Sequence, residues 1–272
     1  MVKILLATDI HHPSDKLFII SRAIETVRPD AIIISGDLSV DGKVGDIEEL
    51  FRKLRKVSKN ARIIAVLGNH DLYLHGGDTS SVDKVDRIYK HVEKYNVELL
   101  DVLGNVELGD YRVVGNVCWY DYSFAPGYKY IDYVNCNPYG FSKEYIKENC
   151  LKESFDLCRC PSWHNDCMFT DIDAQSFAKL NKEKIKRDLK GNSIIVTHHV
   201  PLKDLIVQKS FFNAYDGQDM SDLLDGRVKY YIYGHLHDNS IPKKVINGIT
   251  FINAFKYQIS LKVYIQNAVL EL

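Results

Sequence analysis

A chain of 272 residues with 46% hydrophobic and 26% charged side chains has an ordinary globular composition and can bury a large core. Its 35 basic and 36 acidic side chains leave a formal net charge of -1, which argues against attachment to nucleic acid through a broadly basic surface and leaves only a local basic groove open. No apolar run approaches the roughly 18 residues that a membrane span needs, so no membrane partner is expected. The opening MVKILLATDI lacks the longer apolar stretch and cleavage site of a secretory signal, and the expected location is cytoplasmic.

The elements repeat a cycle of apolar run, polar loop and amphipathic helix. VKILLATD is followed by Leu17, Ile20, Ile24 and Val27 at helical spacing, closed by Pro29. AIIISGD precedes Ile47, Leu50, Phe51, Leu54 and Val57, with Asp46 and Glu49 as an N-terminal capping pair. RIIAVLGNHD comes third, ahead of a charged helical stretch over 82–95. Beyond Gly104 the short alternating runs of VELGDYRVVGNVCWYDYSF predict antiparallel strands. A Tyr- and Cys-rich segment follows, with a short helix over 143–150. The spacing then predicts a helix over 173–189, with Phe177, Leu180, Ile185 and Leu189 inward and Gly191 as its cap. SIIVTHH and KYYIYGHLH read as two more buried strands. The tail KKVINGITFINAFKYQISLKVYIQN reads as antiparallel sheet with a turn at Asn247-Gly248. This order predicts one α/β domain over 1–272, a central sheet system covered by helices, with an inserted segment at about 119–170 that could form a cap.

All six cysteines, Cys118, Cys136, Cys150, Cys158, Cys160 and Cys167, fall in or beside that insert. Three readings stay open for them: reduced thiols, disulfides, or a small metal site from Cys158, Cys160 and Cys167 with His164. Their C-x-C-x6-C spacing is not the C-x2-C pairing usual for structural zinc.

Ligands in open α/β sheets gather beyond the carboxyl ends of strands. There this sequence places Asp9-Ile10-His11, Gly36-Asp37, Gly68-Asn69-His70-Asp71, Thr197-His198-His199 and Gly234-His235-Leu236-His237. One such turn alone is ordinarily a cap. Five in succession would leave carboxylates and imidazoles uncompensated at one mouth unless a metal balanced them. Carboxylate, imidazole and amide donors without thiolate suit Mn(II), Fe or Zn better than Ca or Mg. Seven donors exceed one tetrahedral ion and suit two ions about 3.5–4 Å apart that share a carboxylate.

The ordered set D-x-H, G-D, G-N-H-D, a His after a strand and G-H-x-H, spanning Asp9 to His237, resembles the calcineurin-like metallophosphoesterase superfamily. The resemblance implies a four-layer α/β/β/α sandwich of two mixed β-sheets. It implies one metal on Asp9, His11, Asp37 and His237, and a second on Asp37, Asn69, His198 and His235, bridged by Asp37. His70 would be the catalytic group at the substrate phosphate and leaving oxygen, with Asp71 orienting it. His198 is the expected ligand and His199 a neighbour or substrate contact, although Pro201 lies three residues after His198 where the family pattern has two.

The implied activity is hydrolysis of a phosphomonoester or phosphodiester by a hydroxide bridging two divalent cations, Mn first, Fe or Zn otherwise. A nuclease of the same superfamily and a non-catalytic metal-binding scaffold are the alternatives. The expected partner is a small phosphoester, with nucleotides among the candidates. Trp119, Tyr120 and His199 are the candidate substrate contacts, the rings stacking on a base or sugar; the other reading of WYDYSF is a mini-core for the insert. His12, His75, His91 and His164 read as loop, surface or structural residues.

Overall fold

Short β-branched runs bounded by turn residues pair into sheets, and the 3.6-residue stretches between them cover the sheets as helices. The computed structural model describes residues 2–74, 78, 80–124, 174–209 and 211–272. The expected helix over 143–150, Cys136, Cys150, Cys158, Cys160, Cys167, His75 and His164 lie outside them. In the first sheet β1 (Lys3–Ala7), β2 (Ala31–Ser35), β3 (Arg62–Val66) and β4 (Val97–Leu99) run parallel in that order, and β11 (Val269–Glu271) pairs antiparallel with β1. β2 is buried at every position, as a parallel strand covered on both faces requires. The crossovers are α1 (Lys16–Val27), α2 (Val44–Val57) and α3 (Ser81–Val92), and a short α4 (Leu100–Leu103) leads out of β4.

The second sheet comprises β5 (Asn105–Leu108), β6 (Tyr111–Asn116), β7 (Ser193–Thr197), β8 (Val228–Tyr233), β9 (Lys243–Ile246) and β10 (Ile249–Asn253), in the order β5-β6-β7-β8-β10-β9. Its four inner strands are parallel, and hairpins make the two edges antiparallel. The period-two alternation of strand side chains divides its apolar residues between two cores. Val113, Ile194, Val196, Ile232 and Ile252 join the core of the first sheet, α1 and α2. Val114, Ile195, Tyr231, Tyr233 and Phe251 face the other way, toward Ile185 of α5 (Ala174–Asp188) and Leu189. The result is the expected α/β/β/α sandwich of two mixed sheets. No helix among the described residues is long and apolar enough to cross a membrane.

Four local expectations are corrected. α2 begins at Val44, and Lys43 provides no side-chain cap; Asp46 sits in the first turn, where its charge suits the helix N-terminus. α5 turns Ala174, Ala178, Asn181 and Ile185 inward and leaves Leu180 exposed, the inward face being tied to the chain leaving β6 by Asn181, which accepts from Asn116 Nδ2 and Trp119 N. The strand pattern expected up to Phe124 stops at Asn116, and Val117 to Tyr120 continue as a buried loop. In the tail the Asn247-Gly248 hairpin forms, both residues at positive φ, but Leu261–Asn267 is a helix, α6, whose N-cap Ser260 accepts from the Val263 N–H. Its apolar positions alternate like a strand, and the cap decides otherwise.

The loop before β8 buries a carboxyl group. The main-chain carbonyl of Asp216 accepts from Val200 N (2.9 Å), and Asn213 Nδ2 donates to its side chain (2.7 Å). Burial pushes this carboxyl from its ordinary 3.8 up to about 7, against the pull of Asn213. Between those values the native state holds a proton that the unfolded chain has lost, so this contribution to stability is present at low pH and falls as pH rises to about 7. Asp216→Asn should therefore gain stability relative to the parent as pH rises, seen as a larger variant-minus-parent unfolding free energy at pH 8 than at pH 5.

Candidate metal centre

The turns that follow β1, β2, β3, β7 and β8 meet at one edge of the sandwich. Close approach there excludes side chains at several glycines, Gly36 and Gly234 among them. A Cβ on Gly36, at φ 89°, would lie 2.4 Å from His198 Nδ1, and one on Gly234 would lie 2.1 Å from Thr8 Oγ1 and 2.7 Å from Asp9 Oδ2. Four non-glycine residues beside them also adopt left-handed backbone: Asp9, His11, Asp37 and His235. Such conformations cost of order 1 kcal/mol or more each and persist only where neighbours hold them. Here Asp9 N donates to Gly36 O (3.0 Å), His11 N to Asp37 O (2.9 Å), and His235 N to both carboxylate oxygens of Asp9 (3.2 Å each).

The side chains converge in two groups joined by Asp37. On one side His237 Nε2 stands 3.2 Å from Asp9 Oδ1 and 3.2 Å from His11 Nε2, which is 3.5 Å from Asp37 Oδ2. On the other, His198 Nε2 stands 3.3 Å from Asp37 Oδ1 and 3.0 Å from Asn69 Oδ1, and His235 Nδ1 lies 3.1 Å from the same Asn69 oxygen. All seven residues expected as ligands are thus brought together. His198, the expected ligand of the pair, enters this group through Nε2, whereas His199 turns Nδ1 to Val117 O.

The surrounding residues set orientation and charge. Ser35 O receives the Nδ1–H of His198 and so directs Nε2 inward, and Asn69 Nδ2 donates to Tyr73 Oη (2.8 Å), leaving its oxygen for the cluster. Burial opposes charge on Asp37, yet His198, His70 and His11 hold its carboxyl well below the usual range. Burial pushes His11 down to about 4, so its ring is neutral and able to ligate. His70 Nδ1 faces Val40 O, and its Nε2 lies 4.0 Å from Asp37 Oδ2.

Asp71, expected to orient His70, is fully buried and accepts from the backbone N–H groups of Leu38, Ser39 and Gly68. It is a positioning residue that ties the β2 turn to the β3 turn. Asp101 does the same between the sheets, accepting from Leu67 N (2.7 Å) and Val117 N (2.8 Å). Nothing local in the sequence distinguishes Asp101 from a surface carboxylate. The expected substrate contacts Trp119, Tyr120 and His199 are also corrected, for all three are fully buried. Their rings pack together, and His199 lies against His235, 4.5 Å between centroids, so they back the ligands rather than meet a substrate. His12 is buried 3.8 Å from Glu49, and His91 pairs with Glu48 at the surface.

The sequence pattern of the calcineurin-like phosphoesterases matches residues 2–239. The chain belongs to that family. Over 77 residues the chain is 31% identical to an uncharacterized metallophosphoesterase of Aquifex aeolicus, a match spanning 27% of this chain and 29% of that one. Its fold is similar to that of the phosphopantetheinyl hydrolase PptH from Mycobacterium tuberculosis, with a TM-score of 0.65 and 17% identity over 99% of this chain and 95% of the other. TT1561 of Thermus thermophilus gives 0.55 and 11% over 93% and 88%. The likeness to both is one of fold.

The donor set of this family member fits divalent cations. Donors held at about 2.1 Å from one ion stand about 3.0 Å apart at right angles and about 3.4 Å apart at tetrahedral angles. The separations here, 3.0 to 3.5 Å, are of that size. Removing the Asp71 clasp should loosen them. Asp71→Ala strands three backbone N–H donors and is expected to lower unfolding free energy by about 3 kcal/mol or more, whereas Asp71→Asn, which keeps one acceptor oxygen, should lose less in the same urea titration.

Proposed function

We propose that this chain hydrolyses a small phosphoester, monoester or diester, with two divalent cations. Asp9, His11, Asp37 and His237 would hold one, and Asp37, Asn69, His198 and His235 the other. The observation that carries this reading is the division of Asp37: Oδ2 faces His11 and Oδ1 faces His198, so one buried carboxylate serves two donor groups. Mn(II) suits the mixed oxygen and imidazole donors, with Fe or Zn next. When bound, the cations supply a water of lowered pKa and offset the charge of the phosphate oxygens.

The chain's own residues do the rest. Asp9 and Asp37 balance the cationic charge from buried positions, which keeps the donor groups from drifting apart. His70, partly exposed at the rim, commits Nδ1 to Val40 O, so Nε2 is the atom that holds or releases a proton at the leaving oxygen. The main-chain bond from His70 N to Asp37 Oδ1 (3.1 Å) ties that imidazole to the bridging carboxylate. No side-chain nucleophile is required.

Elemental analysis together with turnover of aryl phosphomonoesters, phosphodiesters and cyclic nucleotides tests the proposal. Asp37→Ala should lose both ions and all turnover. His70→Ala should keep both ions while turnover falls by roughly 10²- to 10⁴-fold, the usual contribution of a general acid. Full turnover by a chelated Asp37→Ala protein would overturn the reading.

A further inference from the structure

The imidazoles of the site differ in how they are steadied. His198 and His70 each give their second ring nitrogen to a main-chain carbonyl. His237 has no such bond: among the described residues no protein partner engages its Nδ1, and at 45% side-chain exposure it is more open than His11, His198, Asp9 or Asp37. An imidazole on an exposed turn loses rotamer freedom on ligating, and something else must hold its plane.

Phe255 lies against it. The two rings are parallel within 5° with centroids 4.2 Å apart. On the phenyl ring also sits Lys16 Nζ, 4.0 Å from the centroid, which donates to Asp9 O (2.6 Å). Phe255 thus contacts both the ammonium of Lys16 and the imidazole of His237. The turn that carries it is itself built into the site. Asn253 accepts from Phe255 N (2.9 Å) and donates to Gly234 O (3.2 Å). Gln258, at its other end, accepts from Thr8 N (3.1 Å) and donates to Thr8 O (2.7 Å). The platform is thus tied to the turns that bear Asp9 and His235.

We propose that Phe255 is the positioning residue for His237: by stacking, it replaces the missing hydrogen bond and keeps Nε2 aimed at Asp9 Oδ1 and His11 Nε2. The inference rests on the two-cation reading for its consequence, which is that only the ion on Asp9, His11, Asp37 and His237 depends on the stack.

Calorimetric titration of the chelated full chain with Mn(II) tests it. The parent should bind two ions and His237→Ala one. Phe255→Leu should weaken one ion by about 10-fold or more and leave the other unchanged, while Phe255→Tyr keeps both within about 2-fold. Adding Phe255→Leu to His237→Ala should have no further effect, since the residue acts through that imidazole. Parental affinity for both ions in Phe255→Leu, equal weakening of both, or additive loss in the double variant would overturn the proposal. A parent that binds fewer than two ions would overturn the two-cation reading instead. The stack is then judged on the metal-free protein by NMR. The His237 ring protons should carry an upfield ring-current shift that Phe255→Leu removes and Phe255→Tyr retains; a shift unchanged in Phe255→Leu would overturn it.

Discussion

Asp37 is a carboxylate almost wholly removed from water, and the arrangement of the site follows from what a buried charge requires. An isolated carboxylate in an apolar interior is too costly to persist, so donors and cations must surround it. His198 and His11 reach its two oxygens from opposite sides, the His70 amide takes a further position, and the His70 ring faces it from the rim. These groups come from the turns after β1, β3 and β7, so the charge can be satisfied only when both sheets are assembled. The same convergence that makes Asp37 tolerable brings nitrogen and oxygen donors to separations suited to divalent cations.

That convergence has a conformational cost, and the structure shows where it is met. Asp9, His11, Asp37 and His235 take left-handed backbone without being glycine, and each strained residue is itself a donor. Two buried carboxylates hold the turns in place from behind. Asp71 binds the β2 turn to the β3 turn, and Asp101 binds the β3 turn to the chain leaving β6. Burial pushes both carboxyls up to about 6, with the Asp37 charge adding to the effect at Asp71, which marks how closely they are enclosed. The aromatic group of Trp119, Tyr120 and His199 completes the backing behind His235.

The difference between what could and could not be read from the chain is one of range. Donor residues at strand ends leave a local signature, a β-branched run closed by Asp, His or Gly, and that signature survives without any knowledge of packing. Leu180 and the tail helix escape such a reading for the opposite reason. On α5 the inward face is tied through Asn181 to the chain leaving β6, and in the tail an alternating pattern folds as a helix behind a serine cap. Trp119 and Tyr120 look like stacking residues in isolation, and only burial reveals them as packing.

The sequence by itself determined which Asp, Asn and His side chains stand at the strand ends, because residue identity and strand-end position are both local properties. The alternation of strand and helix patterns also gave a sheet system covered by helices, while the four-layer sandwich followed from the resemblance of the ordered motifs to the calcineurin-like family. Only the tertiary structure decided that His198 rather than His199 enters the cluster, that Asp71 and Asp101 are clasps, and that Phe255 lies on His237. Those contacts join segments far apart in the chain, Phe255 to Lys16 and Asp101 to Leu67 among them. Pairings of that kind depend on how the sheets are juxtaposed, and no periodicity within a single segment encodes them.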